Sequence, residues 1–141
     1  MEKRIIYTND EGGISIIVPA GEIGDCIKDV PSGKAYEIVD ASRVPSDRSF
    51  RNAWKHQDGA ISVDMPKAVE IQKERLRAER APLLAALYVE MIKSLETGDS
   101  QKQEDVIAEK KRLRDITNLP ALSEATTPEA LKAVSCSTKE K

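Results

Sequence analysis

The residue types that most often carry chemistry are sparse, and the only histidine is His56. General-base catalysis by histidine needs a positioned partner, and no recognised pattern places a serine or cysteine with it. Asp58 and Asp64 lie near His56 in the sequence, but they do not have the spacing of a metal-binding loop. The sequence therefore predicts an exposed turn histidine without a catalytic or metal-binding role.

Glycines and cysteines give no further catalytic pattern. Gly12 and Gly13 precede a predicted strand, whereas a phosphate-binding loop opens a helix. Cys26 and Cys136 are far apart and lack metal-ligand spacing, which favours reduced thiols of the kind found in the cytoplasm. We predict a protein that is not an enzyme and that uses no cofactor and no metal.

Basic residues in the second half could indicate a nucleic-acid surface, with the first run being Lys73, Arg75, Arg77 and Arg80. Glutamates interleave with this run at spacings of three, which is typical of a solvated helix face. A second run, residues 110–114, falls late in a predicted helix, where cations complement the helix dipole. With a net charge of -2, the chain carries no general basic excess, so nucleic-acid binding is the less favoured alternative.

Residues 45–54 form the most distinctive segment, because they hold the only Phe and the only Trp of the chain. A short helix here would place Phe50 and Trp54 on one face and Arg48 and Arg51 on another. The favoured interpretation is a small core that covers a sheet. The alternative is a contact site for a partner protein, since Trp and Arg dominate the binding energy of interfaces. Both interpretations can hold together.

The pattern of apolar residues predicts an α+β fold. A small N-terminal antiparallel β-sheet, made of a hairpin plus one or two strands, should precede an α-helical hairpin or extended helices. We place a β-rich domain at residues 1–64, with strands at 4–8, 14–18, 35–39 and 60–64. The glycines at 12 and 13 supply the loop of the first hairpin.

A helical region is predicted over residues 65–141, with helices at about 66–97, 100–116 and 128–134. Pro82 removes one backbone donor from the first helix, so a kink or a break is expected there. The part before Pro82 is highly charged and is expected to protrude. The part after it should pack through Leu83, Leu84, Leu87, Met91 and Leu95.

No stretch of the chain approaches the roughly 18 apolar residues that a membrane helix needs. The N-terminal residues also lack the apolar run of a signal peptide. We therefore expect neither secretion by a signal peptide nor a membrane span.

Several segments together resemble small proteins of tailed bacteriophages and prophages. In the first half these are residues 4–7, Gly12-Gly13, the strand that ends at Pro19, residues 30–33 with Tyr36, and residues 45–54. In the second half, residues 75–80 with Leu83-Leu84, and residues 111–116 with Pro120, resemble the helical region of phage tail assembly chaperones and tail-fibre assembly proteins.

This resemblance implies a non-catalytic, tail-associated structural or adaptor protein of the virion. Its partners would be other phage structural proteins and further copies of itself, first in the host cytoplasm and then in the tail. A chaperone that leaves before the particle is complete is the alternative. Docking would use the aromatic and arginine segment and the helix arginines, which are Arg48, Phe50, Arg51, Trp54, Arg75, Arg77 and Arg80.

Overall fold

The computed structural model describes residues 2–137 and divides the chain into two compact units. The first unit ends at Ala68 and the second begins at Val69. Strands occupy the first unit, and helices occupy most of the second. The predicted α+β class, with an N-terminal antiparallel sheet followed by a helical region, is confirmed.

A three-stranded antiparallel sheet forms the centre of the first unit. Its strands are β1 (Lys3–Thr8), β2 (Ile14–Ile17) and β3 (Tyr36–Asp40), in the spatial order β2-β1-β3. Asn9 closes the first hairpin, because its side-chain Oδ1 accepts hydrogen bonds from the backbone N–H groups of Glu11 and Gly13. Gly12 has a φ of 81°, which few other residues adopt at low cost. The third strand supplies the pairing that an isolated hairpin lacks.

A second hairpin packs against this sheet and contains a strand that the sequence pattern did not predict. It is made of β4 (Trp54–Gln57) and β5 (Ala60–Val63). Asp58 and Gly59 join the two strands, and both have positive φ, at 52° and 75°. An Asp-Gly loop with positive φ at both positions matches the right-handed twist of paired strands, so it stabilises a two-residue hairpin.

The core of the first unit lies between the sheet and the second hairpin. Trp54 packs there against Ile6, Ile14, Val39 and Ile61. The opposite face of the sheet carries Ile5, which is fully buried, and the short helix α1 (Ile23–Cys26) lies against β1. Alternate residues of β1 thus point into opposite layers, as the period of two requires.

Helices form most of the second unit. They are α2 (Met65–Thr97), whose first turn belongs to the first unit, α3 (Ser100–Asp115), α4 (Pro120–Ser123) and α5 (Pro128–Lys132). A 3-10 turn, Ile116–Asn118, extends α3. Gly98 ends α2 with a φ of 68°, so the chain reverses at once into α3 and forms a helical hairpin.

The helix α2 continues through Pro82, so of the two expected outcomes, a kink or a break, the break is not observed. Proline removes only one hydrogen bond from a helix, and burial of Leu76 before it and Ser94 after it supports the helical backbone on both sides. The expectation that the part before Pro82 protrudes is wrong. Leu76 and Gln72 lie in the interior, because a side chain at every third or fourth position is enough to pack a helix.

Replacing Asp99 with alanine should weaken the start of α3. The Asp99 side chain accepts a hydrogen bond of 2.9 Å from the backbone N–H of Lys102, which is otherwise without a helical partner. Loss of such an N-cap costs about 1 kcal/mol. We expect a fall of that size in the free energy of unfolding from urea titrations. Asp99→Asn keeps a side-chain acceptor and should therefore retain most of the stability of the unaltered chain. Equal losses in the two variants would contradict the capping role.

Candidate functional site

The aromatic and arginine segment lies in the first unit and does not form the expected helix. Only Arg51–Ala53 make a single 3-10 turn, and Trp54 then begins β4 with extended backbone. The Asp47 side chain accepts from the N–H of Ser49, 2.9 Å away, and so closes a local turn. Pairing with β5 satisfies the backbone hydrogen-bonding groups beyond Ala53. A helix of only one or two turns would make few hydrogen bonds and is marginally stable.

Both aromatic side chains of this segment are buried, and Phe50 and Trp54 are each only 2% exposed. They stabilise the unit and are closed to a partner in the folded chain. Arg51 is half-buried, and its guanidinium lies 5.9 Å from the centre of the Trp54 ring, within the range of a cation–π contact. Arg48 is exposed. Of these four predicted residues, Arg48 therefore offers the most accessible side chain for docking.

A shallow cleft of about 260 Å³ adjoins Arg51 within the first unit. Its polar lining includes Asn9, Ser15, Asn52 and Lys67. These side chains can donate hydrogen bonds to a partner, and the cations Arg51 and Lys67 share the cleft with one carboxylate, Glu11.

His56 differs from its prediction, because it lies on β4 and its side chain is only 19% exposed. Its Nε2 lies 3.0 Å from Oε2 of Glu37 on β3, although the angle does not meet hydrogen-bond geometry. The contact becomes an ion pair when the imidazole is protonated. Sequence reasoning missed this pair because its two residues are separated by a long stretch of chain.

The three predicted arginines of α2 have different surroundings. Arg80 donates hydrogen bonds to the carbonyl oxygens of Leu113, at 3.2 Å, and Arg114, at 3.0 Å. It therefore binds the end of α3 to α2. Arg77 pairs with Glu74 one turn earlier, and Arg75 is exposed. Arg80 is structural, so Arg75 and Arg77 are the candidates for contact with a partner.

Buried polar contacts hold the last described residues against the helical hairpin. The side-chain amide of Gln72 donates to the carbonyl of Val134 over 2.7 Å, and Arg112 donates to the carbonyl of Cys136 over 2.8 Å. Arg112 is itself oriented by two hydrogen bonds to the Glu109 carboxylate. Charged and amide donors satisfy carbonyls that would be costly to bury alone. This region is part of the core and is not an open site.

The two cysteines should differ strongly in reactivity. Cys136 is 2% exposed, and burial raises the pKa of its thiol, with the nearby Glu79 carboxylate adding to the shift. Cys26 is half-buried. Because the thiolate is the reactive form, we expect iodoacetamide to label Cys26 well before Cys136 in the folded protein and both alike in urea. Mass spectrometry of timed samples measures this, and equal labelling rates in the folded chain would contradict the burial of Cys136.

Exposed apolar side chains gather on the helical hairpin of the second unit. The expected packing stripe is only partly correct, because Leu83 and Leu95 are 43% and 61% exposed. Leu84, Leu87 and Met91 are half-buried. A helix with apolar residues on two sides cannot bury both against a single partner helix. The large apolar side chains exposed on the hairpin are Leu83, Tyr88, Val89, Ile92, Leu95 and Ile107.

Tyr88 connects the two helices of the hairpin on this exposed side. The ammonium group of Lys110 lies 3.7 Å from the centre of its ring, and Arg114 donates to its hydroxyl over 3.3 Å. Both cations come from α3. The contacts orient a half-exposed aromatic side chain, an arrangement that interfaces favour because the ring loses little entropy on binding.

Within residues 2–137 we find no group of three or more His, Cys, Asp or Glu side chains able to hold a metal ion. No helix of that range has the length and apolar character to cross a membrane. No family model, no curated protein and no solved structure matches the chain.

Proposed function

We propose that this chain is a non-enzymatic, tail-associated structural or adaptor protein of a bacteriophage virion that acts by docking onto other proteins. The observation that carries the docking role is the set of exposed apolar side chains on the helical hairpin. Contiguous exposed apolar surface marks interaction sites in soluble proteins. The phage context comes from the resemblance of the segments described above, chiefly residues 45–54.

Two surfaces suit such docking, one in each unit. In the first unit, Arg48 and the polar cleft beside Arg51 provide hydrogen-bond donors and positive charge. In the second unit, the hairpin provides apolar area with Arg75 and Arg77 exposed on the same long helix. Interfaces combine apolar centres with polar rims, and this chain offers both kinds of surface.

The test is a mass-spectrometric inventory of purified phage particles from a strain that encodes the chain. The proposal expects the protein in stoichiometric amounts relative to known tail components. Its absence from particles would overturn the structural role. If it were absent from particles but co-purified with a tail or fibre protein from lysates, the assembly chaperone would be the correct alternative.

A surface variant separates docking from folding. Arg48→Glu reverses an exposed charge and should leave the fold intact, as judged by circular dichroism, while it lowers the amount incorporated into particles. Lys55→Glu, an exposed charge reversal on β4, is the matched control and should incorporate normally. Equal incorporation of both variants and the unaltered chain would exclude Arg48 as a docking residue.

A further inference from the structure

One side of the helical hairpin forms a continuous apolar strip, which we call the hairpin face. It consists of Tyr88, Ile92 and Leu95 on α2 and Ile107 on α3, and all four are more than half exposed. On α2 these residues follow one another at spacings of four and three, and Ala81 and Ala85 continue the series toward the N-terminus. Alternation of four and three is the repeat of a helix that packs along another helix.

The contacts of the hairpin place Ile107 on the same side as the α2 residues. Tyr88 touches Lys110 and Arg114, and Ile107 precedes these by three and seven positions, on the same stripe of α3. Farther along, the Gln103 side chain donates to the carbonyl of Ser94. Along the two antiparallel helices, Ile92 and Ile107 both lie between the Tyr88 contacts and the Gln103 hydrogen bond, so they share the hairpin face.

The charges at the two ends of the hairpin face are opposite. Glu96 and Glu104 lie at the end near the Gly98 turn, and Lys110, Lys111 and Arg114 lie at the other end, where Lys111 also pairs with Asp115 at 3.1 Å. A second copy that runs in the same direction would bring like charges together. A copy rotated by 180° places the acidic end of one chain against the basic end of the other, and such self-complementarity is what a two-fold interface requires.

We propose that the hairpin face binds a second copy of this chain, in antiparallel orientation, to form a two-fold symmetric dimer with a four-helix interface. Ile92 and Ile107 lie nearest the symmetry axis. On α3, Glu104 lies three positions before Ile107 and Lys111 lies four positions after it. In the antiparallel dimer Glu104 of each copy therefore faces Lys111 of the other. This self-association goes beyond the proposed virion role and does not depend on it, since a dimer can exist whether or not the chain enters particles. The dimer covers four of the six exposed apolar side chains of the hairpin and leaves Leu83 and Val89 for contact with other proteins.

Sedimentation of the purified full chain, in reductant, tests the proposal. We expect twice the chain mass of 15.6 kDa at micromolar concentration. Ile92→Lys should raise the dissociation constant at least about 30-fold, as loss of an interface hot spot does. A monomer at every concentration up to the millimolar range would overturn the proposal, and would leave the hairpin face to a different protein.

A control on the same helix separates loss of the interface from damage to the fold. Leu83 is 43% exposed but precedes Glu90 by seven positions, on the side of α2 where Glu90 pairs with Lys102 at 3.6 Å. Leu83→Lys should therefore dimerise as the unaltered chain does. Circular dichroism should show unchanged helix in both variants. Equal weakening by Ile92→Lys and Leu83→Lys would contradict the assignment of the hairpin face.

Charge reversals test the orientation of the two copies. Glu104→Lys and Lys111→Glu should each weaken the dimer, because each sets like charges opposite one another. The double variant restores opposite charges in the antiparallel arrangement and should recover most of the affinity. Failure of the double variant to recover any affinity would overturn the antiparallel pairing even if a dimer exists.

Discussion

Trp54→Ala should destabilise the first unit by about 3–5 kcal/mol, which is the usual cost of removing a large buried aromatic side chain. Trp54 is 2% exposed and packs against residues from both the three-stranded sheet and the second hairpin. Alanine would leave a cavity between these layers. Since small domains have a total stability of about 5–15 kcal/mol, this loss should remove a substantial part of the stability of the first unit.

Amide hydrogen exchange localises this effect to one unit. We expect protection of β1 and β5 to fall sharply in Trp54→Ala while the protection of α3 remains. Trp54→Phe keeps an apolar ring in the same place and should lose much less protection. If β1 stayed fully protected in Trp54→Ala, Trp54 would not be a principal core residue. Phe50 and the buried isoleucines would then have to supply most of the stability of this core.

Leu131→Ala should release the last described residues from the helical hairpin. Leu131 is fully buried, and α5 has only five residues, so its own hydrogen bonds give it little stability. The substitution costs about 2–5 kcal/mol. Because Gln72 and Arg112 bind the carbonyls of Val134 and Cys136, opening of this segment exposes the Cys136 thiol.

The alkylation rate of Cys136 measures that opening. A loss of about 2 kcal/mol in the local free energy of opening corresponds to a rate about 30-fold higher, since each 1.4 kcal/mol is a factor of ten. Lys132→Ala changes the next residue of α5, which is exposed, and should leave the rate near that of the unaltered chain. An unchanged rate in Leu131→Ala would show that the segment is held independently of this side chain.

Local signals in the sequence were sufficient for the elements that depend on neighbouring residues. The first hairpin follows from Gly12 and from an Asn9 side chain that reaches only as far as Gly13. The end of α2 follows from Gly98 in the same way. These features need no distant contact, so residue type and spacing indicate them directly.

The remaining features depend on contacts between distant residues. Trp54 joins a strand because it pairs with Val63, and the Asp-Gly loop at 58–59 was the signal that could have indicated this hairpin. For Phe50 and Trp54 the sequence predicts a core and leaves partner contact as an alternative, because the same residue types serve cores and interfaces. On α2 the spacing shows apolar residues on two sides, but it does not show which side α3 covers.

The burial of Cys136 limits how the chain can be oxidised. A folded chain with one accessible thiol can form at most one intermolecular disulfide, through Cys26, so air oxidation should stop at a covalent pair. Longer disulfide-linked chains require the second thiol and therefore require release of residues around Cys136. On a non-reducing gel, species larger than a pair would thus report unfolding of that region in a stored sample.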